Sequence, residues 1–333
     1  MAAVRELLKR AVQRHGAQTA LVSPHENIVW TYAELTARVA AVAHHLSSVE
    51  SASGPGLGGQ RCVLLLNNVA DNLVAQLGCA SAGVALHTVK TRADLAAACA
   101  VSSAIDATFA VSTTADFVGA GVEDAAEGIS GGEIRLLQLK QPGDTPAGED
   151  AAALAARLAE AALKPNAEAA QAYYNSPKGA AWAALASRGA EYAAHLGLGA
   201  GDGLFLAVPL NHAFGMGSTL GALGSGSWVA LAGSHLAAKI GSSEAELAVA
   251  TLARLEAKRV GAGGGLVVAG GDDAAFVSLV CDAHLMKGLR GLDSARHKAP
   301  RLRSGLVKVG SGEGLGEGTA QTWAGAQFTT VGK

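Results

Sequence analysis

Charge is scarce in this chain. Only 16% of its 333 residues are Asp, Glu, Lys or Arg, and 26 basic against 28 acidic side chains leave a net charge of −2. An average soluble domain carries roughly 25% charged residues. With no basic excess there is no footprint for phosphate neutralisation, so nucleic acid is not an expected partner. Long apolar runs are also missing, although 50% of the residues are hydrophobic. The richest windows, 180–186 and 204–210, are broken by Ser187, Arg188, Asn211 and His212. Both fall well short of the roughly 18 apolar residues that a spanning helix needs, so no transmembrane segment is expected. The four cysteines, Cys62, Cys79, Cys99 and Cys281, show no CxxC spacing, which excludes a zinc cage or redox motif and leaves buried thiols in a reducing compartment. Met1 is followed by no apolar stretch of the secretory kind.

A surface this poor in charge has to be covered somewhere if no membrane covers it. A subunit of a larger multiprotein assembly fits that requirement, although a GC-rich genome enriches Ala and Gly on its own. The length allows one large domain or two of about 150 residues, with a core that needs no disulfides. The first fifteen residues are basic and amphipathic, with Arg5, Lys9, Arg10 and Arg14 beside Leu7, Leu8 and Val12 and a single acid, Glu6. Organelle transit peptides and ordinary surface helices share this pattern. The expected location is intracellular, with the balance toward the mitochondrion over the cytoplasm.

Helix-period segments alternate with short apolar runs along the chain. The pattern predicts a helix over 4–15, strands at 19–22 and 27–30, and a helix over 32–47 opened by Thr31 as N-cap. A strand at 61–66, a helix over 70–82, a strand at 85–89, a helix over 92–101 and a strand near 107–111 follow. Composition turns to Gly, Asp and Glu over 119–132, and QPGDTPAGED at 141–150 reads as a linker before a helix at 151–163. This places a first α/β subdomain at 1–145 and a second at 146–333. The second predicts strands at 170–174, 203–208, 227–232, 265–269 and 306–309, with helices at 179–195, 214–223, 244–258 and 273–285. Such βαβ alternation implies an α/β fold of mostly parallel sheet with right-handed crossovers. No repeat at a 20–50 residue period is present.

Most catalytic templates fail. Gly54-Pro55-Gly56-Leu57-Gly58-Gly59 satisfies GxGxxG but precedes a strand instead of leading from one into a helix. No GxxxxGK[ST], GxSxG, HExxH or EF-hand loop occurs. Cys281 and His284 share one face of the helix expected over 273–285, yet without a second pair nearby a packed thiol beside a surface histidine is the simpler account. The glycines of 261–271 are explained as turn residues around a short strand.

Several stretches together resemble one family. Trp30-Thr31-Tyr32-Ala33-Glu34-Leu35, the run from Gly59 to Asn68 (GQRCVLLLNN) and the run from Leu77 to Val84 (LGCASAGV) come first. Tyr173-Tyr174-Asn175-Ser176-Pro177-Lys178-Gly179, Pro209-Leu210-Asn211-His212-Ala213-Phe214-Gly215-Met216 and Gly310-Ser311-Gly312-Glu313-Gly314-Leu315 follow. In this order they resemble the large N-terminal domain of the adenylate-forming superfamily, which includes acyl-CoA synthetases, peptide adenylation domains and luciferases. The resemblance implies two βαβ subdomains of mostly parallel sheet flanked by helices, without the family's small C-terminal domain.

It also implies where chemistry would sit. Family members wrap ATP phosphates with a Ser/Thr/Gly-rich loop that ends in Pro-Lys-Gly, because backbone N–H groups and hydroxyls must meet the triphosphate at close range. Here Ser176 runs directly into Pro177, which donates no N–H, and the Gly-Thr-Thr-Gly core is absent. Ser176 and Lys178 are left as the vestigial ATP positions, Lys178 as a point charge or simply a solvated lysine after a shortened hairpin. His212-Ala213-Phe214-Gly215 matches the motif that lines the acyl pocket in the family. Read from its own residues, the segment is a helix start with Asn211 or His212 as cap and Phe214 in the core. The chain stops at Lys333, where the resemblance places the Tyr-Gly-x-Thr-Glu segment that supports Mg²⁺. The ribose-binding Asp and the adenylating lysine would lie beyond.

The expectation is therefore a catalytically inactive relative that serves as a structural subunit, with no cofactor, no metal and other protein subunits as partners. The alternatives are an ATP- and Mg²⁺-dependent carboxylate:CoA ligase acting with a separate C-terminal partner, or an acyl- or nucleotide-binding sensor.

Overall fold

The computed structural model describes residues 2–48, 50–51, 54–55, 61–65, 69–89, 108–112, 135–138, 153, 156, 171–174, 179–232, 242–257, 277–293, 299, 301–309 and 318–332. The chain enters through α1 (Ala2–His15), which turns Val4, Leu8, Ala11 and Val12 into the core. An antiparallel hairpin follows, β1 (Thr19–Ser23) and β2 (Ile28–Thr31). Helix α2 (Tyr32–Ser48) then opens on a reciprocal cap. Thr31 Oγ1 accepts from the Glu34 amide at 3.2 Å, and Glu34 Oε2 accepts from the Thr31 amide at 2.7 Å. Two orphan donors of the first turn are thereby satisfied.

Short strands β3 (Glu50–Ser51) and β4 (Gly54–Pro55) pair with each other, and β5 (Arg61–Leu65) leads toward α3 (Ala70–Ala82). Gly83 ends α3 in the left-handed region at φ 85°, where only glycine is unstrained. Strands β6 (Ala85–Val89), β7 (Thr108–Ser112), β8 (Arg135–Gln138), β9 (Gln171–Tyr174) and β10 (Ala180–Ala181) come next. Then follow α4 (Trp182–Leu196), β11 (Gly203–Leu206), α5 (Ala213–Ser225), β12 (Trp228–Leu231) and α6 (Ser242–Ala257). The last elements are β13 (Val277–Asp282), α7 (Ala283–Gly291), β14 (Leu302–Lys308), β15 (Ala320–Trp323) and β16 (Ala326–Val331).

Two large sheets result. One has the order β15-β16-β14-β13-β11-β12-β1-β2, parallel except for its antiparallel edges β15 and β2. The other has the order β10-β9-β6-β5-β7-β8, parallel except for its edge β10. Strand β1 pairs with β12 and strand β9 with β6, so the sheets interleave along the chain. A boundary between residues 145 and 146 therefore does not separate them.

Strands of the larger sheet are apolar on both faces, as covered parallel strands must be. Leu204, Leu206, Val280 and Leu306 point into a core that also takes Leu64, Leu86 and Ala172 from the smaller sheet and Val4, Leu35, Leu73, Leu185 and Leu220 from α1 to α5. On the opposite face Phe205, Leu279, Val307 and Phe328 pack with Leu252 of α6 and Met286 and Leu289 of α7.

One predicted helix is corrected. Residues 277–282 form a strand, and the helix expected over 273–285 begins only at Ala283. The run VSLVC is buried on both sides, Leu279 and Cys281 on one face and Val280 on the other, and a short apolar run of this kind carries no period that separates helix from strand. The helix starts where Asp282 Oδ1 accepts from the Leu285 amide at 2.8 Å. Likewise, the helix expected from 179 begins at Trp182, after β10. The predicted helix at 92–101, the strand at 265–269 and, apart from helical residues 153 and 156, the helix at 151–163 lie outside the described residues.

Candidate functional site at the carboxyl edge of the larger sheet

Parallel strands deliver their carboxyl ends to one edge, where open α/β sheets bind ligands. Here β11, β13 and β14 end at Leu206, Asp282 and Lys308. Beyond β11 the chain passes Val208 and Leu210, both buried, and turns into α5 at His212. His212 is the N-cap, with extended backbone at φ −136° and ψ 137°, and its Nδ1 accepts from the Phe214 amide at 3.2 Å. Its carbonyl accepts from Met216 at 3.0 Å. Gly215 is obligatory at the first turn, because a Cβ there would run into the Pro209 carbonyl oxygen. Phe214 is buried and meets the Tyr192 ring edge-on, centroids 5.4 Å apart.

The approach to His212 is tied to the other sheet by buried polar side chains. Asn72 Nδ2 on α3 donates to Asn211 Oδ1 at 3.1 Å, and Gln76 Nε2 donates to Asn72 Oδ1 at 2.8 Å and to the Leu210 carbonyl at 3.2 Å. Thr88 Oγ1 on β6 reaches the Asn211 carbonyl at 3.5 Å. Networks of this kind hold a backbone in one place, since each member leaves another unsatisfied if it moves.

Against this turn stands Lys308, the last residue of β14. Its Nζ contacts His212 Nε2 and lies 3.4 Å from His212 Nδ1. Both residues are half-buried. The register neighbour of Lys308 on β13 is Asp282, the residue that caps α7. The edge thus collects an ammonium, an imidazole and the positive end of the α5 dipole.

Of the residues singled out from sequence, the structure describes His212 and places it as the helix cap with Phe214 in the core. Ser176 and Lys178 lie outside the described residues. Their flanks are described: β9 ends at Tyr174 and β10 begins at Ala180, paired antiparallel with Ala172 opposite Ala180. Cys281 and His284 share no helical face, because Cys281 is a fully buried strand residue and His284 an exposed helical one. Burial, with the Asp282 charge adding to it, pushes the Cys281 thiol far up. Among the described residues no group of three or more His, Cys, Asp or Glu could hold a metal, and no helix is long and apolar enough to cross a membrane.

Sequence reasoning passed over Lys308, Asn72, Gln76 and Thr88. Lys308 left one signal, a lone charge inside the apolar run Leu306-Val307-Lys308-Val309.

Interleaved, mostly parallel sheets with a polar edge at their strand ends define an α/β domain. The family is definite as well: the chain belongs to the AMP-binding enzymes, which match residues 8–243. Among solved structures it is similar to the N-terminal domain of FACL13 from Mycobacterium tuberculosis, at 15% identity and TM-score 0.59, covering 92% of this chain and 70% of that one. A benzoate CoA ligase from Burkholderia xenovorans gives 20% identity and TM-score 0.59, with coverage of 99% and 60%. A fatty acyl CoA synthetase from Mycobacterium tuberculosis gives 15% identity and TM-score 0.58, with coverage of 92% and 54%. The chain thus spans little more than half the length of the latter two. A comparison with curated proteins finds no match. Fold and family together make this an α/β domain of the AMP-binding enzymes, similar in fold to the N-terminal domains of acyl-CoA synthetases.

Proposed function

We propose that this domain binds a carboxylic acid at the His212 edge and does not adenylate it. One observation carries the second half of the reading. Five residues, 175–179, join β9 to β10, and the antiparallel pairing of Ala172 with Ala180 and Gln171 with Ala181 fixes both ends of that connection. A triphosphate needs a run of backbone N–H groups and hydroxyls around it. Asn175 to Gly179 supplies one hydroxyl at Ser176, a proline without N–H at 177 and the point charge of Lys178. These residues do not fit ATP with its Mg²⁺, and no step is routed through it.

The first half rests on the edge itself. His212, its cap on Phe214 and the buried network behind Asn211 remain an ordered polar rim above an apolar interior, the make-up of a small-molecule site. The benzoate and fatty-acyl enzymes among the structural neighbours supply the acids to try first. Calorimetry of the whole chain with benzoate and octanoate tests the reading. Saturable heat with a raised melting temperature is expected, and the absence of both with any acid of a wider panel would overturn it.

Service as a structural subunit of a larger assembly is the reading that the scarcity of charge favours. Among the described residues, however, Leu247 is the one large apolar side chain exposed beyond a third, at 39%, so no apolar docking face accompanies the low charge there. The mitochondrial address rested on the basic first helix. Val4, Leu8 and Val12 of α1 are built into the core.

A further inference from the structure

A cleft lies at the opposite end of α5 from His212, between α1 and the last turn of α5. It holds about 540 Å³, within the range of small-molecule sites. Its lining runs from Ala3 to His15, so it follows α1 for about 18 Å at 1.5 Å per residue. Ala3, Leu7 and Ala11, one turn apart, form an apolar strip with Gly224 of α5. A Cβ at Gly224 would meet Leu7 Cδ1 at 3.4 Å, an ordinary contact, so glycine leaves space there that a side chain could fill. Beside the strip stand Arg10 and Arg14. Four residues apart, they share one face of α1 with Cβ atoms about 6 Å from each other. Glu6, also in the lining, accepts from Lys9 at 3.0 Å, and these two charges cancel. Among the described residues Arg10 and Arg14 hold no ion pair. The carboxyl ends of α1 and α5 set about half a negative charge each against two full positive ones, so the cleft stays cationic.

We infer that this cleft is a second binding site, for a phosphate monoester with an aliphatic body, its phosphate held by Arg10 and Arg14 and its chain laid over Leu7 and Gly224. One guanidinium fork fills the two oxygens of a carboxylate, whereas the three terminal oxygens and near-double charge of a phosphate monoester take both forks. The body is aliphatic because the strip is. The one ring in the lining, His15, is packed against Tyr32 at 5.8 Å between centroids and against Gly226, where a Cβ would fall 2.7 Å from its Nε2. A nucleobase therefore has no free platform to stack on. Nor is α1 a bilayer-binding helix, since Val4, Leu8 and Val12 of its apolar face are spent on the core. The site is separate from the His212 edge and does not depend on what binds there.

The test titrates decyl phosphate, below its micelle concentration, calorimetrically into the whole chain, with decanoate, decanol and inorganic phosphate as comparisons. One decyl phosphate is expected to bind per chain, and each comparison to bind at least about tenfold more weakly, the range of a lost charged hydrogen bond. The double variant Arg10→Gln/Arg14→Gln is expected to lose about ten- to a hundredfold in affinity. Gly224→Leu, which fills the strip, is expected to lose decyl phosphate binding. Saturating benzoate should leave the affinity unchanged, because the His212 edge lies at the other end of α5. No saturable binding, binding that the double arginine variant keeps, decanoate held as tightly as decyl phosphate, or displacement by benzoate would each overturn the inference. Association with phosphatidic acid vesicles but not with monomeric decyl phosphate would overturn it too, in favour of a charged surface that meets membranes. Melting curves of the variants separate a lost site from a lost fold, and the exposed arginines can be replaced without touching the core.

Discussion

Asn72 Nδ2 donates to Asn211 Oδ1 at 3.1 Å, a buried side-chain bond that joins helix α3, packed with the smaller sheet, to the turn that follows β11 of the larger one. It fixes the residue next to His212 from outside that residue's own sheet. Replacing Asn72 by Leu leaves Asn211 and Gln76 with buried polar atoms short of a partner. We expect a loss of about 2–3 kcal/mol in urea unfolding. We also expect weaker acid binding, measured by calorimetry at a temperature where the variant is folded.

The cap of α2 makes a smaller, separable prediction. Thr31→Ala removes the acceptor of the Glu34 amide and should cost about 1 kcal/mol. Glu34→Ala removes the return bond to the Thr31 amide. Because the two bonds form one reciprocal unit, the double variant should cost less than the sum of the singles, which a double-mutant cycle in urea reads directly.

Helices α4 and α5 touch backbone to backbone. A Cβ at Gly189 would collide with the Gly217 carbonyl and lie 2.8 Å from the Gly221 amide nitrogen, with no flexible side chain to give way. Gly189→Ala should therefore destabilise by about 3 kcal/mol or abolish folding. Gly291→Ala is the control, because a Cβ there meets nothing within 4 Å. Its melting temperature should be unchanged or slightly raised, since alanine is the better helix former.

Asp71 on α3 sets a pH dependence. Loss of hydration raises its carboxyl above the ordinary aspartate range, the Glu26 charge raises it further, and Arg38 partly opposes both. A pKa raised on folding means that Asp71's contribution to stability is fully present below its unfolded value and is lost as pH rises through the folded value. Asp71→Asn should accordingly melt higher than the native protein at neutral pH, by about 1–3 °C. The difference should close below about pH 4, where the native carboxyl is protonated in both states. A variant that melts lower at pH 7 would contradict this.

Local physics was largely legible in the sequence. Residues 70–82 read as a helix and are one, since the apolar period and the glycine after it act within a few residues of each other. Thr31 as cap of the following helix needs nothing but its neighbour Glu34. What failed is non-local. Residues 277–282 form a strand because β11 and β14 accept it between them, and nothing inside VSLVCD states that. The interleaving of the sheets follows from β1 lying beside β12, with Leu21 opposite Val229, some two hundred residues away. The site divides in the same way. The helix start at His212 was visible in its own motif, whereas its meeting with Lys308 depends on two strand ends reaching one edge, a relation that no window of sequence contains.

We propose that the five residues between Tyr174 and Ala180 leave this member of the AMP-binding enzymes without the groups to hold ATP. Calorimetric titration of the whole chain with ATP and Mg²⁺, in the presence and absence of benzoate, measures this most directly. The account predicts no saturable heat and no rise in melting temperature from the nucleotide in either condition. Saturable ATP binding that disappears in Lys178→Ala would contradict it.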